Sequence, residues 1–247
     1  MRWILLLTFL LSTNALGFDH THSEWQKVLT KYVKIENSQS LINYNLLKKE
    51  KQLLNNYLQS LSSVKKAEYK SWESSKKLAF LINAYNAFTI ELILTNYPLK
   101  SIKDLGSLFK SAWKISFFTL LEEKHHLDWI EQDMIRGNFK EPRIHFAVVC
   151  ASISCPNLQK KAFTFKNLDA QLETAAHEFL NDRSKNYFDG EKLYISKIFG
   201  WYKKDFKNFR KFISKRMSKN KSIQEKIQNP KLSVKQLNYN WQLNEWK

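Results

Sequence analysis

A helix-rich α+β fold in a single domain, with a small, largely antiparallel sheet, is what this 247-residue sequence predicts. Three observations point there. Stretches of helical period outnumber stretches of strand period. The strand-like stretches come in pairs rather than in β-α-β alternation. Residues 78–94 are apolar on every side, the mark of a helix buried all round at the centre of a core. Four prolines and five glycines leave little room for linkers, and no repeat or low-complexity tract divides the chain, so residues 18–247 form one domain on this reading.

The elements follow in order. "MRWILLLTFLLSTNALG" (1–17) has Arg2, an apolar run from Trp3 to Leu11 and small residues at Ala15 and Gly17. That pattern predicts a signal peptide cleaved before Phe18 and an exported chain, periplasmic or secreted. Residues 23–34 and 43–61 have helical period. The all-apolar helix 78–94 ends before Pro98, and Asn83, Asn86 and Glu91 argue against a membrane span. "KISFFTLLEEKHHLD" predicts two short strands around Glu122–Lys124. "DWIEQDMIRGNF" predicts a helix with Asp128 as N-cap, Glu131 at its third position and Gly137 just past its end. "RIHFAVV" has the composition of a buried strand, and "NLDAQLETAAHEFLND" of a helix. "NYFDGEKLYIS" predicts a hairpin with a type I′ turn at Asp189-Gly190. Helices are expected over 197–218 and 222–228, and "LNYNWQLNEW" closes the chain as an extended segment.

Four of these stretches, "FLINAYNAFTIELIL" (80–94), "DWIEQDMIRGNF" (128–139), "PRIHFAVVCASISCPNL" (142–158) and "ISKIFGWYKKDF" (195–206), resemble the domain of unknown function 547 family. The closing "YNWQLN" (239–244) is similar to that family's terminal motif, with Asn240 in place of an Asp. Glu141 likewise stands where an Asp before Pro-Arg is more usual. The resemblance covers most of residues 75–245. It implies the fold and an exported bacterial protein, and it carries no activity with it.

Chemistry therefore has to come from the residues. The glycines stand at 17, 106, 137, 190 and 200, a spacing that excludes G-x-G-x-x-G and Walker A phosphate cradles. Neither H-E-x-x-H nor G-x-S-x-G occurs. No cofactor is implied. Asn83 and Asn86 share a face of the buried helix, where they either tie backbone together or line a polar cleft. Arg136 and Arg143 are candidate partners for Glu131, Glu91 or an anionic ligand.

"HFAVVCASISCP" (145–156) holds both cysteines. In an oxidising compartment a Cys150–Cys155 disulfide is the leading expectation. Fully extended, the two Cα atoms would stand up to about 17 Å apart, against the roughly 5.5–6 Å a disulfide needs. The loop must turn sharply, and so short a ring would stabilise by only about 2 kcal/mol. A catalytic thiol is the second reading, with Cys155 as nucleophile, His145 as base, and Asn83 or Asn86 orienting the imidazole. On a regular strand His145 and Cys150 would face opposite ways, which favours Cys155. A metal site at His145, Cys150 and Cys155 lacks a fourth ligand and the usual spacing. Cleavage before Phe18 would create a Phe-Asp-His terminus, a speculative copper or nickel site at His20.

The formal net charge is +17, and between Lys197 and Lys221 ten Lys or Arg accompany one acid, Asp205. Lys203, Lys207, Lys211 and Lys215 recur every four residues opposite Phe206, Phe209, Ile213 and Met217, an amphipathic basic helix over 203–217. In an exported protein this stripe suits an anionic envelope polymer or membrane surface, and nucleic acid is not expected. Two functions follow as expectations. One is a binding module with a polar cleft for an anionic ligand or envelope component, shaped by the disulfide loop. The other is a thiol-dependent hydrolase or acyl transferase.

Overall fold

Among the described residues the first helix is α1 (Ser23–Tyr32), whose Trp25, Val28, Leu29 and Tyr32 fall at helical spacing and are all buried. In this computed structural model residues 17–107 and 110–246 are described; the leader expected over 1–17 lies outside them except for Gly17. The chain passes from α1 straight into the antiparallel hairpin of β1 (Val33–Glu36) and β2 (Gln39–Ile42). The helical run 43–61 is two helices, α2 (Tyr44–Lys49) and α3 (Gln52–Ser63). Asn43 caps α2 by accepting from the Leu46 amide at 2.9 Å. A short α4 (Lys66–Ser71) leads into α5 (Ser74–Asn96).

Helix α5 is the axis of the fold and runs a turn or so beyond 78–94 at its start. It is long and apolar enough to cross a membrane, but 89% of its most apolar window is buried inside the protein. Its apolar surface is thus used by the core, as the polar interruptions predicted. Phe88 stacks on Phe118 of β3 (Phe118–Leu120) at 3.9 Å between ring centres. β3 pairs antiparallel with β4 (Glu123–His125), the strand pair expected there.

Two local expectations fail next, each for a visible reason. The segment Trp129–Arg136 is helical but π-wound, with the Gly137 amide donating to Gln132 O at 3.0 Å. Asp128 does not cap it; the Trp129 amide is taken instead by His126 Nδ1 at 3.0 Å. A Cβ on Gly137 would sit 2.4 Å from Asp133 O, so the wide turn requires glycine at that position. The expected strand "RIHFAVV" is a 3₁₀ turn, Pro142–Phe146, followed by irregular backbone. Pro142 at its first position has no amide to lose, and the Glu141 side chain accepts from the Arg143 amide at 3.0 Å. A capped helical start outweighs the strand-like composition.

After α6 (Leu168–Asn181), β5 (Tyr187–Phe188) and β6 (Lys192–Ile195) form the expected hairpin. Only Gly190 takes a positive φ (103°), so the turn is not the type I′ predicted, which needs two such residues. The run 197–218 is broken into α7 (Ile198–Trp201) and α8 (Phe209–Met217), followed by α9 (Lys221–Gln228). Lys203 and Lys207 therefore lie outside the helix, and no single helix carries the four-lysine stripe. The break at 202–208 turns buried Phe206 into a second hydrophobic cluster with Phe146, Phe179 and Phe199. β7 (Ser233–Gln236) adds parallel to β6. Among the described residues the sheet content is thus three small sheets, antiparallel except for that pair, in a helix-rich α+β fold.

The closing segment positions the site. Ile153 and Ser154 donate to Gln242 O at 2.9 Å and Asn240 O at 3.1 Å, and Ser152 forms an antiparallel bridge with Leu243. Residues 151–154 are thereby held along the chain's last extended stretch.

Candidate functional site

A cavity of about 220 Å³ opens where the Trp129–Arg136 segment, the Pro142–Phe146 turn, the cysteine loop, α7 and the closing segment meet. Its lining includes His145, Cys150, Cys155 and Glu131. These four residues were expected at the site, and the fold gathers them. His145 and Cys150 share the cavity because the segment between them is not a strand, so the alternation that would separate them never arises.

The other four candidates lie elsewhere. Asn83 donates to Ala79 O at 3.0 Å and Phe163 O at 2.7 Å, and accepts from the Phe163 amide at 3.1 Å. Asn86 donates to Ala147 O and accepts from the Val149 amide, both at 2.9 Å. Both amides tie backbone to α5, and Asn86 fixes the two residues that lead into Cys150. Arg143 is held by Glu141, Asp169 and Glu173 at 2.7, 2.7 and 3.3 Å. Arg136 lies beside the cavity and engages Asp205 through Nε at 2.6 Å and Nη2 at 2.8 Å.

Asp205 is the residue that sequence reasoning missed. It sits in the break between α7 and α8, and its Oδ2 lies 2.7 Å from His145 Nε2. The Arg136 guanidinium, foremost, holds the Asp205 carboxyl below the usual carboxylate range. An ionised Asp205 accepts, so Nε2 carries the imidazole proton and Nδ1 is left as an acceptor. Nδ1 has no protein partner among the described residues. Burial depresses the His145 pKa to about 4, against the raising effect of Asp205, so the ring is neutral near pH 7. Tyr202 stacks on that ring at 3.8 Å and donates its hydroxyl to Glu131 Oε1 at 2.6 Å. Tyr85 donates to Glu131 Oε2 at 3.0 Å. Burial nonetheless raises the Glu131 pKa, outweighing both hydroxyls.

The two cysteines carry free thiols in this structure. Their sulfurs lie 2.8 Å apart and share a hydrogen bond, and the Cys150 amide donates to Cys155 Sγ at 2.8 Å. They are not equivalent. Cys155 is only 4% exposed, and burial pushes its thiol well up, with the neighbouring Cys150 adding to the rise. Cys150 is half-buried, with Ser152 Oγ at 3.1 Å and the Tyr239 hydroxyl at 3.2 Å from its sulfur. Burial raises its pKa too, but hydrogen bonds from Cys155, Ser152 and Tyr239 outweigh that and bring it below the ordinary thiol value.

The mouth is aromatic. Trp201, 49% exposed, packs with Tyr239 at 4.8 Å and with Trp241 at 5.7 Å, and Trp113 meets Trp241 at 5.9 Å. The charged residues of the lining are Asp128 and Glu131, with no Lys or Arg among them. Among the described residues no cluster of three or more His, Cys, Asp or Glu is arranged to hold a metal. His20 packs edge-on against Trp72 at 4.4 Å, and the Phe18 amide donates to Glu68 Oε1 at 2.9 Å. A second, wider groove includes Asn157, Gln171 and Asn181, whose amide groups bond to backbone, together with exposed Lys160 and Lys161.

No curated protein and no solved structure matches the chain. Residues 69–180, which run from α4 through both cysteines into α6, match the model of a family described as "Protein of unknown function, DUF547".

Proposed function

We propose that the cavity is a thiol-dependent acyl-transfer site, hydrolysing or transferring acyl groups, with Cys150 as nucleophile, His145 as base and Asp205 as the group that orients it. One observation carries the reading: a neutral imidazole, fastened at Nε2 to an ionised carboxylate, keeps a buried, unpartnered Nδ1 on a residue that lines the same cavity as Cys150. Nδ1 takes the thiol proton as sulfur attacks the acyl carbon, and returns it to the leaving group as the tetrahedral intermediate collapses. Water or another nucleophile then releases the acyl group from sulfur. Cys150 fits the nucleophile's part better than Cys155, being the more exposed and the more acidic of the two.

The alternative of a cleft for an anionic ligand has less support, because the lining carries carboxylates and no cation. Attraction to an anionic envelope polymer or membrane belongs instead to the outer surface. Lys203, Lys207, Lys211 and Lys215 are exposed there. Export remains part of the proposal, resting on residues 1–17, and the N-terminal mass of the secreted protein tests it.

The acyl-transfer reading is tested with a panel of p-nitrophenyl esters and with iodoacetamide. Wild type should turn over at least one ester, and Cys150→Ser should abolish that turnover. His145→Gln should slow both turnover and alkylation of Cys150 at pH 7, by about 100-fold for turnover. Equal turnover by wild type and Cys150→Ser would sink the proposal.

A further inference from the structure

The acyl-transfer chemistry has no use for Cys155, yet its sulfur is the nearest neighbour of the nucleophile. We infer that Cys150 and Cys155 form a dithiol–disulfide couple that exchanges with small external disulfides, Cys150 meeting the substrate and Cys155 resolving the mixed disulfide. The sulfurs stand 2.8 Å apart, so closing to a bond of about 2.05 Å needs less than about 1 Å of movement. Little chain entropy remains to be lost. Asn86 holds the residues before Cys150. The Cys155 amide closes a turn on Ser152 O at 3.0 Å, and Ile153 and Ser154 are pinned to the closing segment. Ala151, with φ of 57°, sits in the left-handed region that a non-glycine residue adopts only where the surroundings impose it. This is a loop shaped to hold two thiols together.

The two sulfurs also differ in the way that exchange needs. Cys150 is half-buried at the cavity, beside the Ser152 and Tyr239 hydroxyls that favour its thiolate. Cys155 is buried behind it and keeps its proton. Exchange follows in two balanced steps. The Cys150 thiolate attacks one sulfur of RSSR, forming a Cys150–S–S–R bond and releasing RS⁻. Cys155 then loses its proton, with His145, which lines the same cavity, as the neutral base, and attacks the Cys150 sulfur, releasing a second RS⁻. The pair gives up two electrons and the external disulfide gains them. With Asp128 and Glu131 as the charged lining residues, the substrate class is a small neutral or cationic disulfide.

The probe is cystamine, a cationic disulfide without an acyl group, added to the reduced full chain and read by intact and peptide mass. Wild type should end with an internal Cys150–Cys155 bridge and no retained cysteamine. Cys155→Ser and Cys155→Ala should each hold one cysteamine, at Cys150. Cys150→Ser should react more slowly than Cys155→Ser by about tenfold or more. Two cysteamines retained on wild type with no internal bridge would overturn the inference. So would adducts found at Cys155 rather than Cys150. Because wild type alone reports bridge formation, the result does not depend on either Cys155 variant folding. Because cystamine carries no acyl group, bridge formation without ester turnover would leave this inference standing while the acyl-transfer reading fell.

Discussion

Two sets of polar groups, far apart in sequence, are buried on either side of the backbone at Ala147–Val149, and they behave in opposite ways. On α5, Asn83 and Asn86 bond to backbone through both amide N and carbonyl O. Among the residues that line the cavity, His145 keeps an unpartnered nitrogen, Glu131 is raised by burial despite two hydroxyl donors, and two thiols divide their acidity unequally. Burial alone does not mark function. A buried polar group whose every partner is internal serves the fold, whereas one left with unused capacity at a cavity is available to a substrate.

The contrast is exposed to experiment at both ends. Asp205→Asn should lower ester turnover about 100-fold or more, because an amide no longer fixes the imidazole tautomer, while the melting temperature moves little by comparison. Asn86→Ala should do the reverse. Orphaning Ala147 O and the Val149 amide costs about 2–6 kcal/mol at 1–3 kcal/mol for each group, read from urea unfolding. If Asn86→Ala left stability unchanged but removed activity, the assignment of that amide to the fold would be wrong.

The third expectation concerns pH. The His145 pKa is about 4 in the folded chain, against an ordinary value of 6.5, so the unfolded chain binds the extra proton between those values. Stability is therefore level above pH 6.5, falls as pH drops from 6.5 to 4, and levels again below. His22, depressed by burial to about 3, adds a loss of the same sign reaching lower. Glu131 is raised instead, so its contribution weakens as pH rises through its folded value and opposes theirs. The His145 part is on the order of 3 kcal/mol. Thermal melts from pH 7 to pH 4 should show a shallower decline in His145→Gln than in wild type; parallel curves would contradict the burial argument. Smallest of all, Arg143→Met should cost about 1 kcal/mol, because two of its three carboxylate partners are well exposed.

Much of the fold was legible in the sequence and the reason is local. The run 78–94 is apolar on all sides, which only a fully buried helix explains, and the Asp189-Gly190 pair marked a hairpin even though its turn type differs. The segment 142–149 misled because its composition is that of a strand. Its backbone is satisfied by Asn86, a partner sixty residues away that no window over the segment contains. Half of the expected site residues reached the cavity for the same kind of reason. His145, Cys150 and Cys155 lie in one short stretch, whereas the carboxylate that completes them comes from a break between α7 and α8. One signal for Asp205 was present: it is the lone acid among ten basic residues from 197 to 221. The aromatic mouth had none, since Trp113, Trp201 and Trp241 meet only through tertiary structure.

The closing segment carries a consequence for how the protein is made. Tyr239 supplies a hydroxyl beside the Cys150 sulfur, and residues 240–244 clamp the loop between the two cysteines. A ribosome that has translated as far as Asn238 has already produced the thiols, the imidazole and the carboxylate, but not the strip that shapes them. Reactive chemistry is thus deferred until residues 239–244 have been made, and a chain cut before them retains its chemical groups without the arrangement that sets their acidity.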